Sequence, residues 1–389
     1  MLPRRLTLPA RQSCLLLGPR QAGKSTLVRS VLSPDAWVVD LLHHDTFLRY
    51  AKDPSLFRLE AEEKMRGGTR TVFVDEVQKV PELLDEIHGL IERARLRFIL
   101  TGSSARKLKR RGTNLLAGRA VVRRLHPLTL AEQGSLFALS RTLRLGSLPA
   151  VVTSTESEAI DLLRSYAETY LREEVQAEAL VRNLGGFARF LEIAAAQSGD
   201  ILNFSAVGRD AALATRTVQE YYQILEDTLI GYRLEPWRKS PRARLVGHPR
   251  FYLFDTGVTN ALNRRLTARP DPVLAGRLFE QWLVLEVVRT LDYLGSEARV
   301  YYWRTHVGAE VDLVVEKHGR LVLAAEIKSK TRVSGADLSG LRSFGEAHPG
   351  VPRMVVAPVP EMHRMGDVAI VPYREFLGRL EALIERPGI

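Results

Sequence analysis

The sequence has a single cysteine, Cys14, which leaves neither an internal disulfide nor a cysteine-based metal site available. Cys14 lies in an apolar run and reads as a core residue. No apolar run approaches the roughly 18–20 residues that a membrane-spanning helix needs. Nor does the N-terminus show a basic stretch leading into an apolar core and a cleavage site. The expectation is a cytoplasmic protein without a membrane partner. No period of about 20–50 residues recurs, which excludes a solenoid, and no low-complexity tract interrupts the chain. Negative charge is in the minority: 45 Asp and Glu stand against 56 Lys and Arg, a formal net charge of +11.

That excess is concentrated in two segments. Residues 97–124 carry nine Lys/Arg and no Asp/Glu, and residues 232–250 carry six basic residues against Glu235 alone. Localised basic surface is the footprint of a polyanion binder; the competing reading is a pair of solvated loops that keep the protein soluble. With 389 residues, 45% hydrophobic and 26% charged, the chain has an ordinary globular composition and room for two or three domains.

Three regions separate along the chain. Residues 1–155 alternate strand-like runs, at 14–17, 37–39, 71–74 and 98–100, with helical stretches, which implies a parallel sheet covered on both faces. Residues 156–270 are mainly helical: Ile160, Leu163, Ala167, Tyr170, Leu171 and Val175 recur at helical spacing, and further helices are predicted at 188–197, 204–210 and 215–230. Residues 271–389 read as an α/β domain, with a long helix at 278–294 and strands at 300–303, 311–315, 321–327 and 354–357.

Gly18-Pro19-Arg20-Gln21-Ala22-Gly23-Lys24-Ser25 fits the phosphate-loop pattern, with a strand before it and a helix from Thr26 after it. The glycines let backbone N–H groups turn toward phosphates at a helix N-terminus. Lys24 would reach the β- and γ-phosphates of ATP, and Ser25 would place its hydroxyl on Mg²⁺. About fifty residues later, residues 71–74 form an apolar strand ending in Asp75 and Glu76, at the end where parallel sheets bind ligands. Asp75 fits the magnesium carboxylate and Glu76 the residue that orients the attacking water. Residues 98–104 end another strand, where Thr101 or Ser103 would sense the γ-phosphate.

These motifs, together with Ala117-Gly118-Arg119 and Leu125-His126-Pro127-Leu128-Thr129, resemble the prokaryotic AAA+ ATPases that carry an uncharacterised C-terminal domain. The resemblance runs along nearly the whole chain. It implies a P-loop AAA+ ATPase that assembles as a homo-oligomer. Arg119 is the position matching the arginine that completes a neighbouring subunit's site; the alternative is that it belongs to the basic patch.

In the middle region, the helices at 204–210 and 215–230 have the layout of a winged helix-turn-helix. Thr215, Arg216, Thr217 and Gln219 would lie at the exposed start of the recognition helix, and the basic residues 233–250 would form a phosphate-neutralising wing. The competing reading is a helical module that only packs the ATPase against the C-terminal domain. In the last region, the order of Glu280, Asp312, Glu326 and Lys328 resembles the PD-(D/E)xK nuclease fold, especially archaeal Holliday-junction resolvases. Val311 stands where the strongest form of that motif has proline. The resemblance implies that Asp312 and Glu326 coordinate Mg²⁺, that Lys328 positions water and that Glu280 completes the metal shell. DNA, branched DNA included, is the expected partner, as a substrate to be cut or as a ligand on an inactive platform.

Overall fold

Nearly continuous apolar runs form the strands of the N-terminal region, as a sheet buried on both faces requires. In the computed structural model, which describes residues 2–94, 96–103, 116, 118–170, 183–238 and 247–385, these strands are β1 (Ser13–Leu17), β2 (Trp37–Asp40), β3 (Thr71–Asp75), β4 (Arg97–Gly102) and β5 (Ala120–Arg124). They pair in the order β2-β3-β4-β1-β5, every pair parallel. Helices α1 (Lys24–Val31), α2 (His44–Lys52), α3 (Ser55–Arg66) and α4 (Leu83–Ala94) connect them. The ends of β1, β3 and β4 therefore lie side by side at one edge. β5 was hidden in the basic segment because it is half-exposed, with Arg124 facing solvent, and is recognisable only by its pairing with β1. Five of the nine basic residues of that segment, Arg106, Lys107, Lys109, Arg110 and Arg111, lie outside the described residues, as does Ser104.

The middle region begins with α5 (Glu156–Ser165), whose N-cap Thr155 exchanges hydrogen bonds with Glu158 in a capping box. A single π turn, Tyr166–Tyr170, follows; Leu171 and Val175 lie outside the described residues. Helices α6 (Leu184–Ala196), α7 (Phe204–Ala211) and α8 (Thr215–Asp227) pack around Phe187, Phe190, Tyr221 and Tyr222. Ala212, at φ 54°, turns the chain between α7 and α8. Two antiparallel strands, β6 (Gly231–Leu234) and β7 (Arg250–Leu253), follow, and then α9 (Thr256–Leu262). Leu145, Leu148 and Val151, which precede α5, belong to this core and not to that of the N-terminal sheet.

Two of the basic residues expected on a wing surface are placed otherwise. Arg233 is paired with Glu226, and Arg250 is buried. Glu226 belongs to α8, whereas Arg250 is buried against the C-terminal domain, on which the chain after β6 also lies: Tyr302 donates its N–H to Glu235 and accepts one from Trp237. Lys239, Arg242 and Arg244 lie outside the described residues.

The C-terminal region opens with α10 (Pro272–Leu294), six residues earlier than its apolar onset predicts. Asp271 caps it by accepting the Leu274 N–H, Pro272 occupies the first turn, and Gly295 ends it at φ 62°. Strands β8 (Arg299–Arg304), β9 (Glu310–Lys317), β10 (Arg320–Ile327), β11 (Arg353–Ala357), β12 (His363–Met365) and β13 (Val368–Pro372) form one mixed sheet in the order β12-β13-β11-β10-β9-β8. α10 and α12 (Tyr373–Glu385) cover one face and α11 (Ser339–Ala347) the other. Among the described residues, no helix is long and apolar enough to cross a membrane.

α10 is buried almost all round, so its polar side chains must find partners in the elements it touches. Glu286, 2% exposed, accepts the Leu130 N–H at 2.9 Å. Burial pushes its carboxyl up to about 7 despite nearby Arg289. A group whose folded pKa is raised favours the fold below its unfolded value, and that contribution is lost as pH rises through the folded value. Between about pH 4.5 and 7 this residue should therefore remove on the order of 3 kcal/mol of stability. Glu286→Gln is expected to flatten the decline, read as urea midpoints across pH 5–8 in both proteins; identical slopes would contradict the assignment.

Candidate functional site

The phosphate loop leaves β1 at its C-terminal end, and its path depends on two glycines. A Cβ on Gly18 would lie 2.3 Å from the Leu125 carbonyl oxygen, and Gly23 sits at φ 91° as the N-cap of α1. Between them run Pro19, Arg20, Gln21 at φ 61° and the buried Ala22. Lys24 is buried and donates to the Gly18 and Pro19 carbonyls at 2.8 and 3.1 Å, so the ammonium rests on the loop it would leave for phosphate. Thr26 is exposed on the first turn of α1.

Ser25 donates to Asp75 Oδ1 at 2.9 Å, and Thr101 Oγ1 donates to the same oxygen. Asp75 is 1% exposed. Glu76, at φ 60°, donates its backbone N–H to Thr101 Oγ1 at 3.1 Å. Gln78 Nε2 donates to Glu76 Oε2 at 2.5 Å and to Ser103 Oγ at 3.1 Å. The structure thus brings Ser25, Asp75, Glu76 and Thr101 into one hydrogen-bonded chain, with Ser103 one step further out through Gln78. Gln78 was not singled out from the sequence; its place two residues after Glu76 was the available signal. Arg119 is not with this group. It precedes Ala120, which is in register with Ser13 at the opposite end of β1. Its guanidinium pairs with Glu92, holding that carboxyl below the ordinary range.

A second cluster forms where α10, β9, β10 and β7 meet. Asp312 Oδ2 accepts the Ile327 N–H at 2.9 Å, and Lys328 Nζ donates to Glu326 Oε1 at 2.5 Å. Tyr252 donates to Glu280 Oε1 at 2.7 Å. All four residues read from the sequence meet here, and the structure adds Arg250 and Glu310. One Nη of Arg250 pairs with Glu280 and lies 3.6 Å from Asp312 Oδ1, and the other pairs with Glu310. Burial, reinforced by Asp312, pushes Glu280 up to about 7 and Glu326 up to about 8. Burial opposes the charge on Lys328, but Asp312 and Glu326 hold its pKa above the ordinary lysine value.

The donor set suits a divalent cation in part. Glu326 Oε2 is buried and meets no hydrogen-bond donor among the described residues, and Mg²⁺ is commonly held by one or two carboxylates with waters. Among the described residues, however, no three His, Cys, Asp or Glu side chains form a group that could hold a metal ion. The Arg250 guanidinium is the cation that meets Glu280, Glu310 and Asp312 here. Removing it would strand buried carboxylates, a change that typically costs about 3–5 kcal/mol. Arg250→Ala should lower the urea midpoint accordingly at pH 7, while Arg238→Ala, whose guanidinium donates to the Gly247 carbonyl among the described residues, should cost far less. Equal losses would contradict this account of Arg250.

Comparison with known proteins finds three matched stretches. Residues 10–133 match a family described as an AAA domain, residues 137–269 a domain of unknown function (DUF8612), and residues 275–376 another domain of unknown function (DUF4143). Uncharacterised proteins of Mycobacterium tuberculosis and Mycobacterium bovis are each 30% identical over 312 residues, covering 79% of this chain and 68% of theirs. An uncharacterised protein of Haemophilus influenzae is 21% identical over 300 residues, covering 71% of this chain and 74% of its own.

Proposed function

Because the chain belongs to the family of these mycobacterial proteins and carries the AAA domain of an AAA-type ATPase, we propose that it is a magnesium-dependent ATPase acting on DNA. The observation that carries the nucleotide half is the chain Ser25–Asp75–Thr101–Glu76 at the edge of the parallel sheet. Mg²⁺, when bound, would neutralise the β- and γ-phosphates. Ser25 and Asp75 would hold it, and Lys24 would exchange the loop carbonyls for the phosphate. Glu76 orients water while Gln78 fixes its carboxylate, and Thr101 ties the pair together, with Ser103 behind. The apolar recess between Leu2, Leu27, Leu128 and Pro149 receives the nucleotide base. Arg119 serves a neighbouring subunit in a homo-oligomer.

The DNA half rests on the middle and C-terminal regions. Helices α7 and α8 with β6 and β7 act as a winged helix, and Arg216 stands 90% exposed at the start of α8 to meet phosphate. Asp312 and Glu326 would hold Mg²⁺, which when bound would polarise water, Lys328 would position that water and Glu280 would support the cluster, so that the domain would cleave DNA, preferably branched. A second reading, in which this domain only binds DNA, draws on the Arg250 guanidinium among the carboxylates.

Lys24→Ala should abolish or strongly weaken ATP binding, whereas Glu76→Gln should keep binding and lose hydrolysis. Undiminished turnover in the glutamine variant would remove Glu76 from the mechanism. Incubation with single-stranded, duplex, forked and four-way DNA in Mg²⁺ or Mn²⁺ separates the two DNA readings. Cutting that disappears in Asp312→Ala and Lys328→Ala, with ATP turnover intact, supports the nuclease. No cutting of any substrate, with or without ATP, leaves the binding platform. In either case DNA affinity should fall steeply with salt, because phosphate contacts dominate it.

A further inference from the structure

Arg4 lies ahead of β1 and outside the stretch that matches the AAA domain, yet it reaches the middle of the phosphate loop. Its side chain is 7% exposed. Nη1 donates to the Ala22 carbonyl at 2.7 Å, Nη2 to the His126 carbonyl at 2.6 Å and to Tyr293 Oη at 3.1 Å, and Nε to Glu132 at 3.0 Å. The holders of the guanidinium are themselves held. Glu132 accepts the N–H groups of Arg5 and Thr129, and Tyr293 Oη accepts the His126 N–H at 3.0 Å.

The consequence follows from peptide geometry. In a planar trans peptide the C=O and the next N–H point in opposite directions. Holding the Ala22 carbonyl toward Arg4 therefore fixes the Gly23 N–H away from it. Gly23 sits at φ 91°, where a glycine can rotate its flanking peptides at small cost, so this peptide is held less firmly by the loop's own conformation than one next to a residue with a Cβ. Gly23 is also the N-cap of α1, the position whose N–H groups face an anion.

We infer that Arg4 is a positioning residue of the nucleotide site: it locks the Ala22–Gly23 peptide with its N–H directed at phosphate. Its hold depends on Tyr293 near the end of α10, so the C-terminal domain contributes to nucleotide affinity through one phenolic oxygen. This rests on the ATP reading of the loop. It adds two residues, 289 positions apart, that no motif connects.

The test is ATP affinity and turnover of the full chain in Mg²⁺, for wild type, Arg4→Ala, Arg4→Lys, Tyr293→Phe and the double variant Arg4→Ala with Tyr293→Phe. Losing a charge-assisted hydrogen bond to the loop should raise the Kd and KM for ATP about tenfold in Arg4→Ala, with kcat at saturation nearly unchanged. Arg4→Lys should recover part of the loss, since its ammonium can still reach one carbonyl. Tyr293→Phe should raise Kd by a smaller factor and add nothing in the Arg4→Ala background, because the two act through one contact. A purely structural role would instead lower the thermal midpoint and the active fraction without moving KM. Unchanged Kd in folded Arg4→Ala, or fully additive effects in the cycle, would overturn the inference. Should Arg4→Ala not fold, Arg4→Lys and Tyr293→Phe decide, and wild-type Kd in both would overturn it. Failure of the wild type to bind ATP would instead sink the nucleotide reading.

Discussion

A buried helix that carries polar side chains is a demanding constraint, and α10 meets most of it by taking partners from every region of the chain, leaving Trp282 Nε1 and Glu286 Oε1 without a hydrogen bond among the described residues. Gln281 donates to the Leu253 carbonyl and to Thr259 of the middle region. Arg289 donates to the Phe254 carbonyl and to Ser147, and Glu286 accepts from Leu130. Near its end, Asp292 meets His126 at 2.7 Å. Burial lowers the His126 pKa, while the imidazole and Arg124 keep Asp292 below the ordinary carboxylate range. A buried polar group left without its partner costs about 1–3 kcal/mol, so these contacts specify how the three regions sit together far more narrowly than apolar burial would. Glu280 and Tyr293 are thirteen residues apart on this helix, about 20 Å at 1.5 Å per residue. One rigid element thus touches both candidate sites.

The two sites share a physical logic, in that each gathers carboxylates and gives them cations or donors from the chain itself. At the phosphate loop the balance is achieved with hydroxyls and a loop-bound lysine, groups that exchange partners at little cost. In the C-terminal cluster four carboxylates, Glu280, Glu310, Asp312 and Glu326, face three cations, Arg250 and Lys328 within it and Arg304 on Glu310 at its rim. Four negative charges less three positive leave −1 when all are ionised. Because Arg250 comes from β7, the middle region sets the electrostatics of the C-terminal cluster.

How much of this the sequence discloses depends on the range of the interaction that defines each feature. The phosphate loop and the Asp75–Glu76 strand end are local patterns tied to a strand and a helix, and their residue types carry the chemistry directly. The choice between Thr101 and Ser103 is not local: both end the same strand, and only the hydrogen bond to Asp75 separates them. Arg250 lay in a run of basic residues that reads as surface, since a charge count says nothing of what packs against the run. Arg4 and Gln78 carry no motif, and Arg4 finds partners up to 289 positions away. β5 and β12 escaped notice because an edge strand half open to solvent and a three-residue strand lack a distinctive pattern, whereas the buried runs of β1, β3, β4 and β9 stand out; β13 is an interior strand as long as β1, and no such reason applies to it.

The central claim is that a magnesium-dependent ATPase and a DNA-acting region work as one molecule. ATP turnover by the full chain in Mg²⁺, measured without DNA and with single-stranded, duplex and branched DNA, tests it most directly. The account predicts turnover in Mg²⁺ that changes severalfold on adding at least one of these DNAs and that is lost in Lys24→Ala throughout. Turnover that no DNA alters, together with no detectable DNA binding at low salt, would contradict it.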